Sequence, residues 1–366
     1  MNLSHKKVAA ALKNMFVADA LAMPVHWFYN PADIEKAFPG GVTRFEAAPA
    51  VHPSSIMSLH STRAGGRGSQ DKNRREREIV GDVILKGKRH FWGQPHQHYH
   101  QGMQAGGNTL NAHCARVLIR TLTANRGHYD KQRFLDDYID FMTAYPPRHP
   151  DTYAESYHRG FFANLESGKA REFCAATTHD TPSIGGLVTI APIVFAERLR
   201  GVSINAVKEH CRQHLYLTHP DDMLAMVCTD YVQLLDELLF RNPEQTGAEI
   251  LARAAKSSCG LDLEALMEKS LDDRYVVGRM FSSACYITDS WPSVLYLAYK
   301  YAAAPKQALL ANTNLGGDNV HRGIVLGALL GLITGEVPNG WFDQLTQRHE
   351  IDREIMALLA TSTAEV

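Results

Sequence analysis

Two polar turns, far apart in the chain, contain the residues whose types and spacing suit chemistry. The first covers 106–111 (GGNTLN) and the second covers 316–322 (GGDNVHR). A glycine pair leaves backbone N–H groups accessible, and a helix that begins directly afterwards adds unpaired N–H groups and the positive end of its dipole. Each turn therefore suits an anion or a polar ligand.

Asp318 and His321 in the second turn are the candidate catalytic residues. A carboxylate can accept a proton, and an imidazole can accept or donate one near neutral pH. The neighbouring amide side chains both donate and accept hydrogen bonds, which suits the hydroxyl groups of a ligand. The candidate ligand-binding residues of the two turns are Asn108, Thr109, Asn111, Gly316, Gly317, Asn319 and Arg322.

The polar residues after the glycines also have a structural interpretation. Asn, Asp and Thr are preferred N-cap residues, so one of them at each helix start needs no ligand. A single cap does not explain several polar side chains, and we therefore interpret the second turn as a site. At the first turn, capping and binding stay open. For Arg322, an ion pair with Asp318 is favoured over phosphate binding.

Three other segments are rich in charged or imidazole side chains. The run 90–100 contains His90, His96, His98 and His100, and a polar loop is favoured there over a metal site. The segment 63–78 is favoured as a solvated loop and a short charged helix, with an anion-binding flap as the alternative. Around Glu155, the sequence YHR (157–159) is favoured as part of a packed amphipathic helix.

Composition excludes several classes of protein. The 366 residues include 38 basic and 39 acidic side chains, a formal charge of −1, which gives no reason to expect a nucleic-acid partner. A hydrophobic fraction of 45% excludes a disordered chain. The six cysteines form no C-x-x-C pair, as expected of reduced thiols in a cytoplasmic protein. The absence of an 18-residue apolar run predicts no membrane association.

Helical periodicity dominates the chain, and convincing strand patterns are absent. We predict a single all-helical domain over 1–366, with an irregular region at 40–107 as a candidate flap. The apolar segment 323–334 predicts a buried helix whose Gly327 and Gly331 let a neighbouring backbone approach closely. The predicted helices are 6–22, 110–125, 131–145, 154–168, 186–201, 203–214, 225–240, 247–256, 261–270, 291–303, 305–312, 323–334 and 341–361.

Five segments together resemble the ADP-ribosylglycohydrolases: DALAMPVHW (19–27), AGGNTLNAHCARVL, GLVTIAPIV (186–194), LTHPDD (217–222) and NLGGDNVHRGIVLGALLGLITG. YAESYHRGFF and GGDNVHR look most like the branch with the lens J-crystallins and selenoprotein J. The resemblance implies an orthogonal multi-helix bundle with a central cleft. It also implies two bound magnesium ions and hydrolysis of the glycosidic bond of ADP-ribosylated substrates.

The departures from the family pattern concern its metal ligands. The family has Thr-Asp-Asp-Thr where this chain has 108–111 (NTLN), and Gly-Gly-Asp-Thr-Asp-Thr where it has 316–321 (GGDNVH). His26 replaces an acidic residue of the first motif. Among these carboxylate positions Asp318 remains, so it would be the ligand of any metal. Because Mg²⁺ prefers carboxylate oxygens, the two-magnesium pattern is doubtful for this chain.

The resemblance and the residues together predict a glycosyl hydrolase. It would cleave an N- or O-glycosidic bond of an ADP-ribosyl or related ribose-containing small molecule or modified substrate. His26 is a further acid–base or binding candidate, and Asp180 lies where the family places a substrate-binding loop, although a capping turn is favoured there. Two alternatives stay open. One is an inactive nucleotide-binding or crystallin-like protein, and the other is a transition-metal enzyme using His26, Asp318 and His321.

Overall fold

The chain folds into α-helices joined by irregular segments, as predicted. A computed structural model describes residues 2–63 and 77–362, and within these ranges β pairing is limited to isolated bridges. Fifteen α-helices occur in the described ranges. They are α1 Leu3–Ala22, α2 Pro31–Ala37, α3 Leu110–Ala124, α4 Lys131–Thr143, α5 Ser156–Glu166, α6 Ile190–Leu199, α7 Ile204–Tyr216, α8 Asp222–Leu239, α9 Gly247–Cys259, α10 Leu263–Glu268, α11 Asp273–Val276, α12 Ile287–Lys300, α13 Pro305–Leu315, α14 Asn319–Thr334 and α15 Arg348–Ala360.

Every predicted helical segment overlaps one of these helices, within a few residues at its ends, except that the segment predicted over 341–361 becomes helical only from Arg348. Helices α2 and α11 are not predicted, because with seven and four residues they are too short to show a periodic apolar stripe. Several helices start with a capping side chain. Thr246, for example, accepts a hydrogen bond from the Glu249 N–H in a reciprocal capping box, and Gly260 ends the same helix in the left-handed conformation.

The predicted irregular region lacks long helices. Its described parts, 40–63 and 77–107, contain short helical turns and two isolated bridges, between Val51 and Gln97 and between Val80 and Ile84. The predicted charged loop or flap covers 63–78, and residues 64–76 of this segment lie outside the described ranges. At the edges of that gap, Arg77 pairs with Glu166 of α5 at 3.0 Å.

Helix α1 and helix α14 form the centre of the core. They pack against each other along most of their length, and both are almost entirely buried. By length and composition, Leu3–Val25 would also be long enough to cross a membrane. However, 94% of its most apolar window is buried inside the protein, as in a core helix.

Two glycines of α14 allow the close contact with α1, as predicted. A Cβ at Gly331 would lie 2.3 Å from the backbone N and Cα of Ala11, and one at Gly327 would lie 2.5 Å from the Asn14 carbonyl oxygen. Backbone atoms cannot move aside as a flexible side chain can. The contact therefore sets where α14 lies, including its first turn.

We expect Gly331→Ala to lower the free energy of unfolding by about 2 kcal/mol, because the added methyl group overpacks the contact with Ala11. Urea denaturation followed by circular dichroism measures this change. The control is Gly335→Asn at the end of the same helix, where a Cβ meets nothing within 4 Å and Asn tolerates the left-handed conformation. A gain in stability from the higher helix propensity of Ala would contradict the close-packing argument.

Candidate active site

A partly open cavity of about 450 Å³ lies beside the second polar turn. Two buried ionisable side chains of its lining are His321, which belongs to the second turn, and Glu155, which contacts His321. Aromatic side chains form much of the remaining lining: Trp27, Tyr29, Tyr99, Tyr153, Tyr157 and Tyr286. A cavity with apolar walls and a few polar groups has the character of a small-molecule site.

The N-termini of three helices are joined by side-chain contacts, and two of them, those of α5 and α14, contribute residues to the cavity lining. Thr109, Glu155 and Asp318 are the N-cap residues of α3, α5 and α14. The positive dipole ends of the helices favour negative charge, and carboxylates of the chain itself lie close to them. Asp151 accepts a hydrogen bond from the Leu110 N–H at 2.7 Å, in the first turn of α3.

His321 is held between two carboxylates. Its Nδ1 lies 2.7 and 2.9 Å from the two Asp318 oxygens, and its Nε2 lies 3.4 Å from Oε1 of Glu155. Burial alone would lower the pKa of His321, but Asp318 and Glu155 outweigh it and raise that pKa to about 10. The same contacts overcome the burial of the carboxyl groups, lowering the pKa of Glu155 to about 2 and that of Asp318 below its usual range.

A second series of contacts extends from Asp318 away from His321. His26 Nε2 lies 3.1 Å from Asp318, His26 Nδ1 lies 2.8 Å from His100 Nε2, and His100 Nδ1 lies 2.8 Å from Asp151. Burial lowers the pKa of His26 to about 3, whereas for His100 the charge of Asp151 outweighs burial and raises the pKa. We call the whole series the acid–imidazole chain; its members are Asp151, His100, His26, Asp318, His321 and Glu155.

The residues of the first turn mainly organise the protein. Asn108 and Thr109 donate to Asp19 through the amide at 2.8 Å, the backbone N–H at 2.8 Å and the hydroxyl at 2.5 Å. Burial raises the pKa of Asp19 to about 6, despite these hydrogen bonds. Asn111 differs, because its amide donates to Oε1 of Glu155 at 2.9 Å. Asn111 thus contacts a residue that lines the cavity, whereas Asn108 and Thr109 contact the buried Asp19.

The glycines of the second turn allow backbone segments to cross closely. Gly316 and Gly317 have φ of 65° and 62°, and a Cβ on either would lie 2.1 Å from a carbonyl oxygen. The N–H of Gly317 donates to the Phe28 carbonyl, and the Asp318 N–H donates to the Ser283 carbonyl, both at 2.8 Å. These N–H groups are therefore paired within the protein, contrary to the expectation that they face a ligand.

Asn319 and Arg322 stabilise the same turn from inside. Asn319 donates to the Thr313 carbonyl at 2.9 Å, and the fully buried Arg322 donates to the Gly316 carbonyl at 2.8 Å and to the Asn312 side chain at 2.7 Å. Neither residue lines the cavity. Asp318 is also fully buried and lies behind His321, whereas Asp180 lines the cavity and pairs with His179 at 3.0 Å.

Several residues of the site were missed in the sequence. The sequence pattern indicates only a packed helix beside Glu155, and it gives no signal that Asp151 belongs to the site. The polar-loop interpretation of 90–100 is wrong for His98 and His100, which are buried, and holds for the exposed His90 and His96. No local motif distinguishes His100 from its neighbours, because its partner Asp151 is distant in sequence.

Comparison with known proteins identifies the family. The model of the family described as ADP-ribosylglycohydrolase matches residues 2–365. The chain belongs to this family. A solved structure titled "ADP-ribosylglycohydrolase-related protein complex" is similar with a TM-score of 0.56 and 19% identity, covering 99% of this chain and 100% of that one. This likeness shows a shared ADP-ribosylglycohydrolase-type fold. No curated protein matches the sequence.

The donor groups of this ADP-ribosylglycohydrolase-family protein do not fit the magnesium pair that the family pattern implies. Mg²⁺ requires several oxygen ligands in near-octahedral geometry. Both oxygens of Asp318 already contact imidazoles, and both oxygens of Asp151 and Asp19 accept hydrogen bonds. Among the side-chain oxygens of Asp19, Asp151, Asp318 and Glu155, Oε2 of Glu155 alone has no hydrogen-bond partner. Leu110 provides no ligand where the pattern has an acid.

The raised pKa of His321 predicts a loss of stability at alkaline pH. The folded protein keeps this proton up to about pH 10, whereas the unfolded chain releases it near the ordinary value of 6.5. Its stabilising contribution is therefore complete below pH 6.5 and is lost as the pH rises towards 10, with a slope of up to about 1.4 kcal/mol per pH unit.

Urea denaturation across this pH range measures the slope. We expect His321→Asn to flatten it, since the buried proton is gone, and the exposed His349→Asn to leave it as in the unsubstituted protein. An equal slope in His321→Asn and the unsubstituted protein would disprove the assignment of the proton to His321.

Proposed function

We propose that this protein hydrolyses an N- or O-glycosidic bond of an ADP-ribosyl or related ribose-containing substrate bound in the aromatic-lined cavity. Membership of the ADP-ribosylglycohydrolase family supports glycosyl hydrolysis as the reaction class. The observation that carries the proposal is Glu155, a buried and ionised carboxylate that lines the cavity and has one oxygen without a hydrogen-bond partner.

Glu155 is suited to activate water or to stabilise a positive charge. Asn111 and His321 contact Oε1, whereas Oε2 has His158 Nε2 3.7 Å away but no hydrogen-bond partner, so we assign Oε2 to the reacting groups. In the proposed step, a water oxygen bonds to the anomeric carbon while the bond to the leaving group breaks. Oε2 accepts the proton of the water, and the carboxylate charge stabilises the positive charge that develops on the ribose.

His321 supplies an N–H group on the same side of the cavity. Its Nε2 has no well-directed hydrogen bond, although Glu155 lies 3.4 Å away. We assign to Nε2–H a hydrogen bond to the departing oxygen or nitrogen of the substrate. Asp318 does not touch the cavity, and its proposed role is to position His321 and to keep it protonated.

The cavity walls support a substrate that carries both a flat ring and phosphate groups. Trp27 stacks on His26 with ring centroids 3.6 Å apart and meets Tyr99 and Tyr153 edge to face at 4.7 and 5.3 Å. Such rigid aromatic surfaces pack well against a base or sugar. Arg159 belongs to the same lining, and a guanidinium group matches phosphate geometry.

Two other expectations remain proposals. The segments YAESYHRGFF and GGDNVHR support a place in the branch with the lens J-crystallins and selenoprotein J. The scattered cysteines support a cytoplasmic location, and all six are free thiols.

We expect Glu155→Gln to reduce the hydrolysis rate by about 10²- to 10⁴-fold, because an amide cannot accept the proton of the attacking water. The assay measures release of ADP-ribose or ribose from ADP-ribosyl-arginine, ADP-ribosyl-serine and nucleosides. The matched control is Glu166→Gln at the exposed end of the same helix. If the unsubstituted protein binds ADP-ribose but releases product no faster than buffer, the inactive binding protein is the correct alternative.

We expect Asp318→Asn to lower kcat by about 10- to 100-fold with little change in KM, because a positioning residue acts on His321 rather than on bound substrate. Loss of the Asp318 charge also lowers the pKa of His321, so the alkaline limb of the kcat profile should move to lower pH. A reduced kcat with an unmoved limb would indicate a structural role alone.

A further inference from the structure

We propose that two buried imidazolium groups, His100 and His321, supply in this cleft the positive charge that the family pattern assigns to magnesium, so that the site needs no divalent cation. The charge arrangement follows from the folded chain alone. Only its catalytic consequence rests on the proposed function.

The number of protons in the acid–imidazole chain supports two imidazolium groups. Four of the five contacts that join the six members are hydrogen bonds of 2.7–3.1 Å, and each of these needs one hydrogen between its two heavy atoms. The fifth, from His321 Nε2 to Glu155, is an ion-pair contact of 3.4 Å. Three neutral imidazoles carry three N–H groups in total. Carboxylates that accept these contacts supply none, so the four hydrogen bonds require one additional proton on the imidazoles. A second additional proton is required by His321, whose Nε2 faces the Glu155 carboxylate.

The positions of the carboxylates indicate where these protons lie. His321 has a carboxylate at each ring nitrogen, and a bare lone pair on either nitrogen would face the lone pairs of an oxygen. Both nitrogens therefore carry hydrogen. On the other side, His100 donates Nδ1–H to Asp151 and Nε2–H to His26, which is neutral and donates its remaining N–H to Asp318.

The two charges match the carboxylates that surround them. Within the acid–imidazole chain, Asp151, Asp318 and Glu155 contribute three negative charges in a region that is almost completely buried, and unpaired charges there would be costly. The nearby carboxyl group of Asp19 lies outside this chain and accepts hydrogen bonds from Asn108 and Thr109. The imidazolium groups neutralise two of the three. A third charge stays on Glu155, which lines the cavity and suits the positive charge that develops on a ribose.

A transition metal is the competing occupant of the same place. His26, Asp318 and His321 each offer a ligand atom, and these atoms lie within 4.8 Å of one another. Binding would require a neutral His321 and would break the contacts that both imidazoles make to Asp318. The Asp318 oxygen lies 2.7 Å from Nδ1 of His321, which is a hydrogen-bond distance. Two adjacent ligand atoms around a tetrahedral metal lie farther apart, at about 3.3 Å for metal–ligand distances of ~2.0–2.1 Å.

The first test uses the full chain without substrate. We expect the purified protein to contain far less than one equivalent of metal by elemental analysis. Its Tm is expected to be the same after EDTA treatment and after addition of Mg²⁺, Mn²⁺ or Zn²⁺. Stoichiometric metal, or a rise in Tm with any of these ions that His321→Asn abolishes, would overturn the proposal.

The second test observes the protons directly. In long-range ¹H–¹⁵N spectra near neutral pH, we expect imidazolium signals that disappear in His100→Asn and in His321→Asn. His214 and His219 are internal controls, because burial lowers the pKa of each to about 3 and keeps it neutral. Neutral-ring signals for His321 would overturn the proposal, and the unsubstituted protein suffices for this reading if a variant does not fold.

These tests separate the present proposal from the proposed function. Metal content, Tm and imidazole protonation are measured without turnover, so a protein that hydrolyses none of the substrates can still satisfy all three. Hydrolysis that stops in EDTA and returns with Mg²⁺ would overturn the metal-free site while leaving glycosyl hydrolysis intact.

Discussion

The buried carboxylate of Asp318 is the interaction on which the site depends. A carboxylate without water must be paired or hydrogen-bonded, and Asp318 is paired by His26 from one segment and by His321 from its own helix. Those imidazoles in turn contact His100 and Glu155. Removing one partner would therefore disturb a series of linked groups rather than one hydrogen bond.

Close helix packing places this carboxylate. Gly331 brings the backbone of α14 against α1, and the crossing at Gly317 holds the start of α14 against Phe28 and Ser283. At both contacts, backbone lies so close to backbone that no side chain would fit between them. The first turn of α14 therefore has little freedom to move. The same turn positions His321 at the cavity, which links core packing to the geometry of the active site.

The family fold has been retained here with a different distribution of charge. Where the resemblance implies carboxylates around magnesium, this chain has apolar residues such as Leu110 and imidazoles such as His26. Two other acids of the site, Asp151 and Glu155, lie directly before α5, and each contacts an imidazole or a backbone N–H. The positive charge is thus carried by side chains of the protein itself. Whether these side chains are charged depends on their burial and pairing rather than on the concentration of a free metal ion.

The sequence by itself determined the helical architecture, the family and the two polar turns, because amphipathic periodicity, glycine pairs and caps are local patterns that neighbouring residues specify. It also led to Asp318 and His321. Only the tertiary structure decided that Asn108 and Arg322 support the protein internally, while Glu155 lines the cavity. His100 and Asp151 are 51 residues apart in the sequence. They form a pair only because folding brings them together in a buried region, where bulk solvent does not hydrate their charges.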